Sequence, residues 1–235
     1  MSYEHVLVIT AHPDDPEYLF GATVARLAGE GAELRYVICS DGSLGGNDPT
    51  IPRAVLAELR YAEQRAAAAV LGVQEVVFLG FPDGGLTAAP REDLHRAIVR
   101  EIRRFRPDLV ITHFPRRALG IPIEASHPDH VIVGEATLHA IFPGANNARS
   151  YPELLSEGLT PHRVKEVWVP GYEGADHFID ATTVMDKKSA AILCHKSQLD
   201  SAAPGVVPPW VFWWMKRSGA TKGYEYAEEF KRIAM

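Results

Sequence analysis

Short runs of β-branched and other apolar residues recur along this 235-residue chain, and most are followed by a segment with helical periodicity. Runs without polar alternation are typical of strands buried on both faces of a parallel sheet. Because such strands alternate with helices, right-handed crossovers connect them and place helices on both faces of the sheet. The sequence therefore predicts an α/β fold with a Rossmann-like, mostly parallel sheet. The predicted strands are Val6–Thr10, Leu34–Cys39, Glu75–Leu79, Leu109–Thr112, Val164–Val169 and Phe178–Asp180, and the predicted helices are Glu17–Glu30, Leu56–Leu71, Arg91–Arg104, Val131–Ile141 and Thr183–His195.

Some segments are harder to interpret. Val164–Val169 alternates polar and apolar residues, as a strand at the outside of the sheet would. The stretch Gly144–Ser156 lacks apolar periodicity and is expected to be a loop. No element is predicted after His195, and the Trp-rich segment Pro204–Met215 is expected to form core, a pocket wall, a lid or a subunit contact. None of these segments has the composition of a linker, so residues 1–235 are expected to form a single domain.

Composition argues against several classes of protein. Apolar residues make up 46% of the chain and charged residues 23%, which is typical of a globular protein with a sizeable core. The net charge of −6 and the lack of long Lys/Arg runs argue against nucleic acid and anionic membranes as partners. The apolar segment Val206–Met215 is far shorter than the roughly 20 residues of a membrane helix. The first residues lack the features of a signal peptide, and two cysteines are too few for a disulfide framework, so a cytoplasmic protein is expected.

Clusters of His and Asp follow two of the predicted strands: HPDD at residues 12–15 and HPDH at residues 127–130. In sheets of this kind, ligands bind beyond the carboxyl ends of the strands, near the point where the strand order reverses. An imidazole, a carboxylate three positions later and a second imidazole from another loop form a three-ligand zinc site with room for water. His12, Asp15 and His130 fit this description. Zinc is therefore the expected cofactor, and a nitrogen and oxygen ligand set also admits iron, cobalt or nickel.

Residues beside these ligands suit the hydrolysis of an amide. Zinc lowers the pKa of bound water, and attack on an amide also needs a base to accept the proton. Asp14 lies next to a ligand and is expected to be this base. His127 is expected to protonate the departing amine or to stabilise the oxyanion. Asp129 and Asp41 are both candidates for the carboxylate that holds the tautomer of His127.

Each of these carboxylates also has a structural interpretation. Asp14 and Asp15 are favourable residues at the start of the helix predicted near Glu17, and Asp129 is favourable at the start of the helix predicted from Val131. Capping explains each carboxylate separately, but it does not explain why two His/Asp clusters follow the ends of two strands.

The motifs AHPDDPE at residues 11–17 and HPDH at residues 127–130 resemble those of the LmbE-like, or PIG-L, family of N-deacetylases. Similar segments follow in family order up to about residue 200, among them DGSLGG, LRYAEQRAAAAVLGV, FLGFPDGGL and KKSAAILCHKSQ. The resemblance implies the zinc ligands, base and assisting histidine named above. It further implies that Arg60 and Asp83 bind the substrate, and that the protein is a homo-oligomer, a trimer or a hexamer. The motif has the form HPDD-x-E, and the Pro16 insertion leaves Glu17 without an assigned role.

Local interpretations compete with some of these roles. Arg60 also has a candidate ion-pair partner, Glu63, on the surface of a helix. Asp83 stands in the sequence FPDGG, where an aspartate is a common turn residue. His195 is expected to be a cation at the end of a helix rather than a site residue.

The expected function is that of a zinc-dependent hydrolase, which removes an acetyl group from the nitrogen of a small substrate of the N-acetylglucosamine type. A Rossmann-type nucleotide-binding protein is an alternative, but HPDDPE stands where the G-x-G-x-x-G motif would be needed. Two further alternatives are a metal-dependent amidase or esterase that acts on a non-sugar substrate, and a metal-binding protein without turnover.

Overall fold

The computed structural model describes residues 3–46, 48–199, 203 and 205–235 of the chain. Seven strands in these residues form one sheet: β1 (His5–Thr10), β2 (Glu33–Ser40), β3 (Glu75–Phe81), β4 (Leu109–Thr112), β5 (Glu166–Pro170), β6 (His177–Asp180) and β7 (Ala227–Ala234). Their order across the sheet is β3-β2-β1-β4-β5-β7-β6. Strands β1 to β5 are parallel to one another, and β7 pairs antiparallel with both β5 and β6. The predicted mostly parallel sheet is confirmed.

Helices cover both faces of this sheet, as predicted. The helices are α1 (Asp15–Gly29), α2 (Arg53–Leu71), α3 (Arg91–Phe105), α4 (Pro128–His139), α5 (Pro152–Ser156), α6 (Met185–Ile192) and α7 (Pro209–Ala220). On one face, α3, α4 and α5 enclose an apolar core with β1, β2, β4 and β5. On the other face, α1, α2 and α6 enclose a second core. A third, smaller cluster joins α7 to α1 and α6. Among the described residues, no helix is both long and apolar enough to cross a membrane.

The strand order reverses between β1 and β4. From β1 the chain continues to β2 on one side, whereas β4 pairs with β1 on the other side. Ile9 lies opposite Thr112 in this pairing, so the two strands end close together. The next residues are in direct contact, because Nε2 of His113 lies 3.0 Å from the backbone nitrogen of Ala11. The fold therefore brings the segments after β1 and β4 to one place, as expected for a ligand site in such a sheet.

The carboxyl-terminal part of the chain differs most from the prediction. Val164–Val169 was expected to form an outer strand, but β5 is buried along its whole length. The reason is that β7 pairs with β5 on the side away from β4, and β6 pairs with the other edge of β7. The sequence of β7, AEEFKRIA, mixes charged and apolar residues, so it lacks the apolar run that marks the other strands. The helix α7 was also not predicted.

Other boundaries differ by a few residues. Helix α1 begins at Asp15 rather than at Glu17, and α4 begins at Pro128 rather than at Val131. The stretch Gly144–Ser156 contains the short helix α5 and is therefore not all loop. In the Trp-rich segment, Pro204 lies outside the described residues, and α7 contains all of its tryptophans.

Candidate metal centre

The turn between β1 and α1 separates the two neighbouring aspartates. Asp14 has a φ of 99°, in a region of backbone conformation that is rare for residues other than glycine. The Asp15 carboxylate contacts His130, whereas the Asp14 carboxylate lies 3.3 Å from the guanidinium of Arg60. Asp14 precedes α1, but its side chain makes no capping hydrogen bond. Capping alone therefore does not explain the residue.

The three predicted metal ligands form one compact cluster. Nδ1 of His12 lies 3.2 Å from Nε2 of His130 and 3.4 Å from Oδ2 of Asp15. Nε2 of His130 lies 3.1 Å from Oδ1 of Asp15. Ligand atoms that are each about 2.0–2.1 Å from a tetrahedral zinc ion are roughly 3.3 Å apart. The spacing of these donors fits one small divalent cation.

Neighbouring side chains offer other combinations of ligands. Three overlapping groups of metal-binding residues occur among the described residues: His12, His127 and His130; Asp15, His113 and His130; and His12, Asp83 and Asp129. Carboxylates occupy the Nε2 side of His12, and Nδ1 of His127 accepts the backbone N–H of Asp129 at 3.2 Å. Because the Nδ1 side of His12 faces both His130 and Asp15, these contacts favour the predicted set of ligands.

Two carboxylates hold the ring of His12. Oδ1 of Asp83 lies 3.1 Å from Nε2 of His12, and Oδ2 of Asp129 lies 3.4 Å from the same atom. Burial acts to raise the pKa of Asp83, but the hydrogen bond and charge of His12, the backbone N–H of Leu44 and the charge of Arg60 together outweigh burial, and the pKa is lowered. An ionised carboxylate at Nε2 keeps the proton on that nitrogen and leaves Nδ1 free to bind a metal.

His113 is part of the centre and was missed in the sequence. Its Nε2 lies 3.1 Å from Oδ2 of Asp15, and its ring stacks on that of His130 at a centroid distance of 4.2 Å. Burial lowers the pKa of His113 to about 4, so the ring is neutral at physiological pH. The backbone N–H of His12 also donates to Oδ2 of Asp15, at 2.7 Å. These contacts fix Asp15 so that Oδ1 faces His130. The position of His113 directly after β4 was a signal that pointed to it.

Asp14 is held beside the metal ligands by α2. Arg60 contacts its carboxylate and also donates to the backbone oxygens of Pro13 and Gly42. Gln64, one turn further along α2, accepts the backbone N–H of Asp14 at 2.8 Å. Burial raises the pKa of Asp14 to about 6, although Arg60 opposes this rise. A carboxylate with such a pKa is ionised at neutral pH and suited to accept a proton.

Gln64 connects Asp14 to two further polar residues with no solvent exposure. Its amide nitrogen donates to the carboxylate of Glu17 at 3.0 Å, and Nε2 of His195 lies 2.9 Å from the same carboxylate. Glu17, Gln64 and His195 are all fully buried. Sequence reasoning gave no role to Glu17 and placed His195 outside the site. Through Gln64, Glu17 lies two hydrogen bonds from Asp14 and His195 lies three.

The predicted substrate-binding residues lie at the centre but have partners within the protein. Arg60 is only 3% exposed and lies under the loop that contains Gly42 and Gly45, where a side chain on Gly45 would collide with the guanidinium. Oδ2 of Asp83 accepts the backbone N–H of Leu44 at 2.9 Å. The alternative ion pair of Arg60 with Glu63 is absent among the described contacts.

His127 lies beside the cluster, and its ring centroid is 5.0 Å from that of His12. Burial lowers its pKa, and the neighbouring His12 and His130 add to the effect. His127 rather than Asp129 caps α4. The candidate tautomer-holding carboxylates have other partners: Asp129 contacts His12, and Asp41 accepts the backbone N–H groups of Ser43 and Asp83.

A cavity of about 550 Å³ opens beside the centre. Asp14, Asp15 and His130 line one end of it. Trp210 and Trp214 of α7 line it as well, so part of the Trp-rich segment is a pocket wall. Drug-sized ligands bind in cavities of about 300–1,000 Å³. The centre therefore faces a space large enough for a substrate.

Comparisons with known proteins give the family and the fold of this chain. Residues 7–141 match the PIG-L family, described as GlcNAc-PI de-N-acetylase. Diacetylchitobiose deacetylase from Thermococcus kodakarensis is 31% identical over 229 residues, which are 97% of this chain and 82% of that protein. The structure of N,N'-diacetylchitobiose deacetylase from Pyrococcus horikoshii superposes with a TM-score of 0.88 and 26% identity, over 99% of this chain and 84% of the other.

The same fold also occurs in a protein with a different reaction. The 4-carboxy-2-hydroxymuconate hydratase GalB from Pseudomonas putida superposes with a TM-score of 0.78 at 22% identity, over 99% of this chain and 97% of the other. At this identity the likeness shows the shared fold alone, so the fold does not decide the reaction. The family match and the related deacetylases, by contrast, support deacetylation rather than hydration as the class of reaction. The chain belongs to the PIG-L family, whose members are metal-dependent N-deacetylases.

Proposed function

We propose that this chain is a zinc-dependent N-deacetylase, which hydrolyses the acetamido group of an N-acetylglucosamine-type amino sugar or its conjugate. The observation that carries the proposal is the cluster of His12, Asp15 and His130, with donor atoms 3.1–3.4 Å apart and a second carboxylate beside it. The deacetylase relatives support the class of substrate.

His12, Asp15 and His130 would hold the cation, which would polarise the acetamido oxygen and lower the pKa of water. Asp14 lines the cavity beside these ligands and takes the proton of the attacking water. Its backbone N–H bond to Gln64 and its ion pair with Arg60 orient the carboxylate before the substrate arrives.

His127 is proposed to assist at the oxyanion or at the departing nitrogen. It lies near His12 and His130 but is not required to hold the cation. Because its pKa is lowered, the neutral ring is suited to donate a hydrogen bond to the oxyanion, and it protonates the departing nitrogen only after it has gained the proton that Asp14 takes from the water. Asp129 and Asp83 are proposed to act through His12, because both contact its Nε2 side. The resemblance implied that Asp83 binds the substrate, whereas its proposed role is to hold His12. Arg60 is likewise proposed to position Asp14 rather than to bind the substrate.

The test combines metal analysis with an assay. The protein is purified without chelator, its metal content is measured by elemental analysis, and acetate release is measured from N-acetylglucosamine and its conjugates with and without added zinc. About one zinc per chain and zinc-dependent acetate release are expected. Protein that stays metal-free and inactive after loading with zinc, iron, cobalt or nickel would contradict the proposal.

The alternative functions have no comparable support. No described residue supplies the G-x-G-x-x-G turn after β1 that a dinucleotide site requires, because HPDDPE occupies this turn. Hydrolysis of an ester or of another amide needs the same groups, and the substrate panel separates these reactions. A single domain over residues 1–235, a cytoplasmic location and a homo-oligomeric state, trimer or hexamer, stay predictions.

A further inference from the structure

The cavity extends from the metal centre into an apolar region between α1 and α7. Several of the residues that line it are almost fully buried, among them Phe20, Val211 and Met215. Trp210 also lines the cavity and is 52% exposed, so the lining extends from the protein interior to an aromatic side chain at the surface. A space of about 550 Å³ is much larger than an acetyl group needs, and so most of it is available to the rest of the substrate.

Aromatic side chains form one wall of the cavity. The ring of Tyr18 stacks on that of Trp210, with a centroid distance of 5.4 Å and an angle of 21°. Trp214, one turn further along α7, also lines the cavity, and Tyr172 lines it from the segment after β5. Such a wall offers large apolar contact area but few hydrogen-bond partners.

The charged groups that line the cavity do not suit an anion. Glu124 and Glu229 add negative charge to that of Asp14 and Asp15 near the centre. Lys188 is the lining ammonium among the described residues, but it is 1% exposed, and its Nζ donates to Glu228 at 2.6 Å and to the backbone oxygen of Tyr18 at 2.7 Å. Apart from the cation proposed at the centre, a phosphate or carboxylate on the substrate would therefore find no free cation among the described lining residues.

We propose that the α7 wall, formed by Trp210 and Trp214, binds an uncharged apolar group of the substrate. This group is an aryl or alkyl group attached to the amino sugar. The cavity starts at the reacting centre, so the group and the acetamido end belong to the same molecule. This inference rests on the proposed function and narrows its substrate class. The apolar group has two possible sources, the aglycone of a glycoside and a longer N-acyl chain, and both present the same surface to the aromatic wall.

The experiment compares matched substrates. The value of kcat/KM is measured from the release of the free amine. The first pair is octyl and methyl N-acetyl-β-D-glucosaminide, and the second pair is N-octanoylglucosamine and N-acetylglucosamine. N-acetylglucosamine 6-phosphate is the charged substrate in the comparison. One of the two octyl compounds should exceed its short counterpart by about tenfold or more, because burial of each methylene contributes to binding. The phosphate ester should be the poorest substrate. Which octyl compound is preferred identifies the source of the apolar group.

Variants of α7 test whether its tryptophans cause the octyl preference. Trp210→Ala and Trp214→Ala should each reduce the octyl preference towards a ratio of about 1. Trp213→Ala is the matched control, because Trp213 lies on the same helix, is 59% exposed and does not line the cavity. It should keep the preference. A ratio near 1 in the unmodified protein, a preference for the phosphate ester, or a preference that survives in Trp214→Ala would overturn the inference.

A binding measurement separates this inference from the proposed function. Tryptophan fluorescence is titrated with octyl N-acetyl-β-D-glucosaminide and with N-octanoylglucosamine on the purified protein, and it requires no turnover. Saturable binding of either compound that Trp214→Ala weakens and Trp213→Ala does not would support the wall even if no acetate is released. Absence of such binding for both compounds would overturn it, whatever the hydrolytic activity.

Discussion

The metal centre and the α7 wall border the same cavity, but they are built in opposite ways. The centre comes from two short contiguous motifs, one directly after β1 and the other at the start of α4, and its polar groups contact one another within hydrogen-bond distance. The wall comes from a helix near the end of the chain, which a small apolar cluster holds against α1 and α6. The metal-binding chemistry of this chain therefore depends on short sequence motifs, whereas its proposed substrate preference depends on how α7 packs against α1 and α6.

The largest effect is expected when a ligand of the centre is removed. His130→Ala should lose the bound metal and reduce kcat by about a thousandfold or more, because the remaining donors no longer form a three-ligand site. Elemental analysis and the acetate assay measure the two effects. His139→Ala is the control on the same helix, since His139 is exposed and stacks on His95 away from the centre. Equal losses in both variants would mean that the substitutions disturb the structure of α4, and that removal of the ligand is not the cause.

A smaller effect, confined to turnover, is expected at the base. Asp14→Asn should keep about one metal per chain and lower kcat by about 10²- to 10⁴-fold, because the amide accepts no proton from water. Rate measurements on metal-loaded protein test this. If the variant retained near-normal kcat with full metal occupancy, Asp14 would not be the base.

Substitution of Gln64, which orients Asp14, should lower kcat less than substitution of Asp14 itself. Gln64→Leu removes the partner of the Asp14 N–H and of Glu17, so we expect about 1–3 kcal/mol less stability and a kcat lowered by roughly ten- to a hundredfold. KM should change little. Gln74→Leu is the matched control, because Gln74 also accepts a backbone N–H, that of Leu34, but far from the centre. If both variants kept kcat, the contact of Gln64 would be structural only.

The smallest effect concerns stability and pH. Burial acts to lower the pKa of His195, but its hydrogen bond to Glu17 and the negative charges of Glu17, Asp14 and Glu63 together outweigh burial, and the pKa is raised. A raised pKa in the folded state gives stability that is fully present below the unfolded value, about 6.5, and is lost as pH rises through the folded value. The difference in unfolding free energy between the unmodified protein and His195→Gln should therefore shrink as pH rises. Denaturant titrations from pH 5.5 to pH 8.5 measure it, and a difference that grows with pH would refute the pairing.

The same contrast explains how far the sequence could be interpreted. The buried strands β1, β2 and β4 are apolar runs, and the His/Asp motifs follow two of them, so the sheet and the ligand cluster were predictable. The ladder of β7 on β5 was not, because the pairing is antiparallel and joins segments that are far apart in sequence. His195 shows the same limit at the level of one side chain. Its partner Glu17 is 178 residues away, and no local pattern connects the two.

The roles of Arg60 and Asp83 show a related limit. A motif predicts that a residue belongs to the site, but it does not say which atom the residue will contact. Arg60 lies against Asp14, and Asp83 lies against His12. Both are near the reacting centre, as the resemblance implied, and yet their partners are other residues of the protein.

The most direct test of the metal centre is a crystal structure of zinc-loaded protein with anomalous diffraction measured at the zinc edge. We expect one strong peak about 2.0–2.2 Å from Nδ1 of His12, a carboxylate oxygen of Asp15 and Nε2 of His130. A peak held instead by His12, Asp83 and Asp129, or no peak near His12 at full zinc loading, would contradict it.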